Sequence, residues 1–253
     1  MMRSSFQVST ADNVRISFDL YRKPGRDVAV LICPGFFQSK ETPTFQRLSQ
    51  ALAKECDAIC MDFRGHGKSG GLFMFSAREP ADLEAVLDWA GKRYRRVGIL
   101  GFSLGAATAI NLASHRKDIT TLIAVSAPSA FEDIEFQFWT PEAIRTGITG
   151  LEPGAGCRPG NPWLKKERPA DNIKAVSPVP VLFIHGTRDA TVFSRHSERL
   201  YKVAGEPKRL VLIEQGGHAE ELFRLQPDQF LPLVQDWLRS TLLDTQDKNV
   251  QVE

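Results

Sequence analysis

Three residues far apart in this chain have the types and surroundings for nucleophilic chemistry at a carbonyl carbon. The first is Ser103, at the centre of Gly101-Phe102-Ser103-Leu104-Gly105. The apolar run Val97 to Leu100 precedes it, and Ala106 to Ala113, small residues first, follows it. A strand, a tight turn with serine at its tip and then a helix form the setting in which Gly-x-Ser-x-Gly carries chemistry. The turn strains the serine backbone and points the hydroxyl off the sheet edge, while the glycines let strand and helix pass closely. The helix start behind the serine adds partial positive charge, which suits an anion forming there.

A serine hydroxyl is a weak nucleophile at neutral pH and needs an adjacent base, which in turn needs an orienting acid. The chain has five histidines to choose from. His66 lies in a glycine-rich turn, His115 ends the serine helix, His185 precedes Gly186 at a strand end, and His196 falls on a predicted helix. His218, in Gln215-Gly216-Gly217-His218-Ala219-Glu220-Glu221, follows the last apolar strand and has flexible glycines before it. It is the expected base. For the acid, Asp189 lies in His185-Gly186-Thr187-Arg188-Asp189-Ala190-Thr191-Val192, just past an apolar strand, with Asp133 in reserve. The order Ser103, Asp189, His218 is the one expected of such a triad on a doubly wound sheet. An oxyanion would need two backbone N–H donors. Leu104, directly after the serine, is one, and the loop after Val28–Cys33 supplies the other, Phe36 first and Phe37 second. Phe37, Phe136 and Trp139 are the expected pocket residues, in a wider set of aromatics that includes Phe73, Phe75 and Phe138.

The elements that must position these residues are legible. Phe6 to Thr10 and Val14 to Leu20 alternate about a turn at Ala11-Asp12-Asn13, which predicts an antiparallel hairpin with one wet face. Val28–Cys33, Ala58–Phe63, Thr121–Ala127, Val179–His185 and Arg209–Glu214 are apolar runs expected to be buried strands. Helical spacing covers Thr44–Lys54, Pro80–Trp89, Phe193–Val203 and Gln229–Leu242. Strands alternating with helices over short connections predict an α/β fold: a doubly wound, mostly parallel sheet with helices on both faces. Ligands of such sheets bind off the carboxyl ends of the strands, where Ser103, Asp189 and His218 are expected to fall. The loop Arg64-Gly65-His66-Gly67-Lys68-Ser69-Gly70-Gly71 lacks P-loop spacing and is expected to be a structural turn. The long segment 131–171, rich in proline and glycine and aromatic at its start, is expected to be a small lid within a single domain spanning 1–253.

Composition narrows the field. A net charge of +2 gives no pull toward nucleic acid. The start lacks the apolar run of a signal peptide and no stretch is apolar enough to span a membrane, so a cytoplasmic location is expected. Cys33, Cys56, Cys60 and Cys157 have no metal-ligand pattern and read as reduced thiols.

The chain resembles the α/β-hydrolase superfamily, in its branch of small serine esterases, thioesterases and S9/S33-type peptidases. Pro34-Gly35-Phe36, Asp62-Phe63-Arg64-Gly65-His66-Gly67-Lys68-Ser69, Gly101 to Gly105, His185-Gly186-Thr187-Arg188-Asp189 and Gly217-His218 match its landmarks in order, over roughly Val28 to Leu242. The resemblance implies a nucleophile at Ser103, an acid at Asp189 and a base at His218, with no metal and no organic cofactor. One departure stands out. Many relatives have His-Gly in the oxyanion loop where this chain has Pro34-Gly35, so any positioning by that histidine is lost. The expected reaction is hydrolysis of a small-molecule carboxylic ester or thioester through an acyl-enzyme. Acyl transfer, peptide cleavage and carbon–carbon bond hydrolysis use the same scaffold. A non-catalytic binding protein is disfavoured by the intact residue set, and haloalkane dehalogenation by the absence of a carboxylate at position 103.

Overall fold

The computed structural model describes residues 1–135 and 152–243. Within them eight strands form one sheet: β1 (Met2–Ser9), β2 (Arg15–Arg22), β3 (Val28–Cys33), β4 (Asp57–Met61), β5 (Arg96–Phe102), β6 (Thr121–Val125), β7 (Val181–Gly186) and β8 (Lys208–Ile213). Their spatial order is β1-β2-β4-β3-β5-β6-β7-β8. The β1–β2 hairpin is antiparallel, β2 meets β4 antiparallel, and every pair from β4 to β8 is parallel.

The helices are α1 (Pro43–Leu52), α2 (Glu79–Gly91), α3 (Leu104–Ala113), the single turn α4 (Glu132–Glu135), α5 (Pro169–Val176), α6 (Arg195–Val203), α7 (Glu221–Leu225) and α8 (Pro227–Leu238). Four of them, α1, α2, α5 and α8, start with proline in their first two positions, where a missing N–H leaves no bond unmade.

Strand alternation divides the apolar residues between two cores. Val30 and Ile32 of β3 pack with Phe45 and Leu48 of α1 and with Phe230 and Val234 of α8. Their neighbours Ala29, Leu31 and Cys33 face the opposite side, toward Leu83, Val86, Ile110 and Ile173 of α2, α3 and α5. Burying one such leucine or isoleucine stabilises the fold by about 1.5–3 kcal/mol. The sheet is therefore doubly wound, as its continuous apolar strands require.

The chain turns back on itself at β3, whose neighbours are β4 on one side and β5 on the other. Pairing of Cys33 with Gly101 brings the ends of β3 and β5 level, so the loop at Pro34 and the turn at Ser103 open side by side. This is the switch point at which open α/β sheets bind ligands.

The structure corrects the expectations in places. Lys208–Ile213 is not a buried strand. It pairs only with β7 at the sheet edge, Leu212 is exposed and only Ile213 is buried. β6 ends at Val125 because Ser126 turns with φ 49°. The last helix stops at Leu238 and continues as a π-helical turn, Arg239–Leu243. Of the segment expected to be a lid, residues 136–151 lie outside the described residues. Part of the remainder, 152–160, runs as a strap over the loops after β3 and β4. All four cysteines are free thiols. Among the described residues no helix is long and apolar enough to cross a membrane.

Candidate active site

Ser103 stands between β5 and α3 with φ 49° and ψ −114°, a backbone conformation that a residue with a side chain holds only under constraint. The constraint is visible. Its N–H donates to the Val125 carbonyl at 2.8 Å, and its carbonyl starts α3 by accepting from Ala107 N–H at 3.0 Å. Gly105 permits the turn, because a Cβ there would lie 2.3 Å from the Cys33 carbonyl oxygen and 2.5 Å from that of Pro34.

The fold brings the three expected residues together. His218 Nε2 lies 2.9 Å from Ser103 Oγ, and His218 Nδ1 lies 2.7 Å from Asp189 Oδ2. A carboxylate only accepts, so Nδ1 carries a proton and the Nε2 lone pair faces the serine hydroxyl. The histidine loop is moored by Ala219 N–H, which donates to Ser126 Oγ at 3.0 Å, and by His218 N–H on Glu221 Oε2 at 3.1 Å. The acid and histidine loops touch through glycines: a Cβ on Gly186 would meet the Gly216 carbonyl oxygen at 2.3 Å.

Asp189 is buried and fully engaged. Oδ1 accepts from Thr191 and Val192 N–H at 2.9 and 2.8 Å, and Oδ2 accepts from His218. A second imidazole, His185, also reaches Oδ2, with Nε2 at 3.2 Å. The same Nε2 is 2.7 Å from the Val192 carbonyl, so it carries a proton, and Nδ1 accepts from Ser197 Oγ at 2.6 Å. Burial alone would raise the Asp189 pKa. The charge of His218 and the hydrogen bonds from both histidines outweigh it and hold the carboxyl well below its usual range. For His218 burial pulls downward, while the charge and hydrogen bond of Asp189, with Glu220 and Glu221 adding to them, raise the imidazole above its ordinary value.

The loop after β3 faces the serine. Phe37 has φ 66° and its N–H donates to His66 Nε2 at 3.3 Å, so that N–H is already committed. Leu104, the first residue of α3, has an N–H with no intrahelical acceptor. His66 Nδ1 is 3.1 Å from the Arg64 carbonyl and therefore carries the proton, leaving Nε2 to accept. Burial lowers the His66 pKa to about 4, which keeps the ring neutral at ordinary pH. Thus a histidine does support this loop, from the turn after β4 rather than from position 34. The strap completes the support: Gly156 N–H donates to the Phe37 carbonyl at 2.7 Å, and Ser39 Oγ donates to the Gly154 carbonyl at 2.8 Å.

An aromatic ledge flanks the serine. Phe73, Phe131, Leu104 and Ala107 are buried together, with Phe36 and Phe75 packed against them. Phe36 and Phe73 ring centroids are 5.1 Å apart, and those of Phe73 and Phe75 4.6 Å. Phe37 is partly exposed, edge-on to Phe36. Phe136, Trp139 and the side chain of Asp133 lie outside the described residues. Sequence reasoning assigned no role to His66, His185 or Gln38. His66 and His185 gave a signal, since His66 lies in a glycine-rich turn and His185 stands at a strand end directly before Gly186. Among the described residues, no cluster of histidine, cysteine, aspartate or glutamate has the form of a metal site.

Residues 30–233 match the family model described as the alpha/beta hydrolase family. The chain belongs to this family. Among curated relatives, the uncharacterized protein YfhR of Escherichia coli K12 is 29% identical over 191 residues, 74% of this chain and 61% of that protein. The chain thus spans about three-fifths of the length of that relative, 61%. Solved structures share the fold. The esterase Pf2001 of Pyrococcus furiosus superposes with a TM-score of 0.74 at 22% identity, covering 95% of this chain and 93% of that one. The esterase RhEst1 of Rhodococcus sp. ECU1013 gives 0.76 at 18% identity, covering 94% of this chain and 99% of its own.

Proposed function

We propose that this hydrolase cleaves a carboxylic ester or thioester through an acyl-enzyme on Ser103. The observation that carries the reading is the continuous hydrogen-bonded line from Ser103 Oγ through His218 to Asp189, at 2.9 and 2.7 Å. Ser103 Oγ attacks the acyl carbon while its proton passes to His218 Nε2. The carbonyl electron pair moves onto oxygen, which the N–H groups of Phe36 and Leu104 stabilise. The pair returns, the bond to the leaving group breaks, and His218 gives that group its proton. Water then attacks the acyl-enzyme as His218 takes a proton from it; the tetrahedral intermediate collapses, the bond to Ser103 Oγ breaks, and His218 returns that proton to Oγ as the acid leaves. Asp189 stays ionised and balances the imidazolium.

The ledge of Phe36, Phe73, Phe75 and Phe131 supports an apolar acyl group, and the esterase neighbours in structure fit an oxygen ester. The test is hydrolysis of p-nitrophenyl esters from acetyl to long acyl chains by the wild type and Ser103→Ala, with fluorophosphonate labelling alongside. Turnover and labelling lost together in Ser103→Ala are expected. Equal turnover by both proteins would remove Ser103 from the mechanism, and labelling without ester turnover would point to another acyl donor.

A further inference from the structure

Two loops must agree in position for this chemistry, and one side-chain contact joins them. Gln38 lies in the loop after β3, where its N–H closes a turn onto the Gly35 carbonyl at 3.2 Å around Phe36 and Phe37. Its side chain is buried, and Nε2 donates to Glu220 Oε1 at 2.6 Å across 182 positions of sequence. Glu220 follows His218 by two residues, in a turn closed by Glu221 N–H on the His218 carbonyl at 3.0 Å. The contact therefore runs from the neighbour of the oxyanion donor to the neighbour of the base.

Its orientation is determined by charge. A carbonyl turned toward the Glu220 carboxylate would be repelled, so the amide presents its NH₂ group. That leaves Gln38 Oε1 buried with no hydrogen-bond partner among the described residues. A fold tolerates such an orphan acceptor where something else depends on the orientation. Among the described residues no cation lies within ion-pair distance of Glu220, and the nearby Arg224 guanidinium is engaged by Glu221 at 2.8 Å. Glu220 thus directs its hydrogen bonding at Gln38.

We propose that Gln38 and Glu220 form a latch that fixes the spacing between the Phe36 N–H and the His218 imidazole, both acting as positioning residues. The proposal rests on the serine mechanism above. The strap and His66 hold one side of the oxyanion loop through Phe37 and Ser39, and the latch holds the other. Without it the donor and the base lose their common reference, and misplacements of that kind cost rate rather than binding.

The experiment is the rate of Ser103 labelling by a fluorophosphonate on its alkaline plateau. It compares the wild type, Gln38→Ala, Gln38→Leu, Glu220→Ala, the double alanine variant, Glu220→Gln and Ser103→Ala, with the Tm of each. The Tm of each variant reports whether its fold is kept, and Gln38→Leu fills the space that Gln38→Ala empties. Each single loss is expected to lower the plateau rate roughly tenfold. The double variant should be no slower than the slower single variant, as for two halves of one contact. Glu220→Gln should recover to within about threefold, since an amide carbonyl still accepts from Gln38. Unchanged single variants, losses that multiply to roughly a hundredfold, or a Glu220→Gln no better than Glu220→Ala would each overturn the latch while labelling leaves the nucleophile standing. An unlabelled wild-type Ser103 would overturn the nucleophile reading and the latch's purpose with it.

Discussion

His185 Nε2 lies 3.2 Å from Asp189 Oδ2, the oxygen that also holds the imidazole of His218. One carboxylate oxygen thus receives two ring N–H groups, one facing the reacting centre and one wholly inside. The inner ring is fixed at its far end by Ser197. His185→Ala leaves Asp189 with one imidazole and opens a buried space. It should lower kcat roughly tenfold with little change in KM. It should also cost about 2–4 kcal/mol of stability, read as a lower Tm. Ser197→Ala, which removes only the outer contact, should keep most of the kcat.

His218 must be neutral to act as base, and its pKa is raised above the ordinary ~6.5. As pH falls through that raised value the imidazole gains its proton and kcat/KM falls. The acid limb of the kcat/KM profile should therefore sit above ~6.5. Asp189→Asn removes the main charge that raises it. The limb should then move to lower pH while the plateau drops on the order of 10³–10⁴-fold.

The same carboxylate gives a stability prediction with a definite sign. Asp189 has a folded pKa below its unfolded value, so its contribution is present above ~3.9 and is lost as pH falls toward the depressed value. Thermal melts of the wild type should lose Tm through that acid range. Asp189→Asn should start lower at neutral pH and show a flatter acid dependence.

His66 is neutral across the range in which His218 titrates, because burial holds it near 4. His66→Phe removes the acceptor for the Phe37 N–H and should lower kcat roughly tenfold without moving the acid limb. His66→Gln, whose carbonyl can accept, should recover part of the loss. A pH–rate profile for each variant distinguishes a positioning role from a titrating one.

Gly105→Ala should be the most damaging of the single-methyl changes near the serine. The new Cβ would stand 2.3 Å from the Cys33 carbonyl and 2.5 Å from that of Pro34, both backbone atoms that cannot turn aside. A loss of about 1–3 kcal/mol or more is expected, with poor soluble yield. Tm and labelling of Ser103 should fall together.

Much of this was readable without coordinates, for physical reasons. β3, β4 and β5 are buried on both faces, so their apolar runs could hardly be anything else. The turn at Ser103 announces itself because only small residues let β5 and α3 pass so closely. Asp189 and His218 follow from strand ends, the places that a parallel sheet gathers together. Less was readable where function depends on pairing. The sequence does not say that His66 meets Phe37, or that Gln38 meets Glu220, because those distances belong to loop conformation. β8 misled for a related reason: Leu210, Val211 and Leu212 look like a core strand, yet what decides burial is having a neighbour on each side, and β8 has one.

That edge position has a further consequence. The serine and the acid hang from strands with partners on both sides, while the histidine follows the outermost strand, which is also among the least covered. Such a margin opens first when a fold breathes. What keeps the histidine in place is borrowed from the interior: the Ser126 hydroxyl, the contact of Gly186 with Gly216, and the Asp189 carboxylate. Mild denaturant should therefore silence turnover before the body of the protein unfolds, leaving a population that is folded by every optical measure and chemically inert.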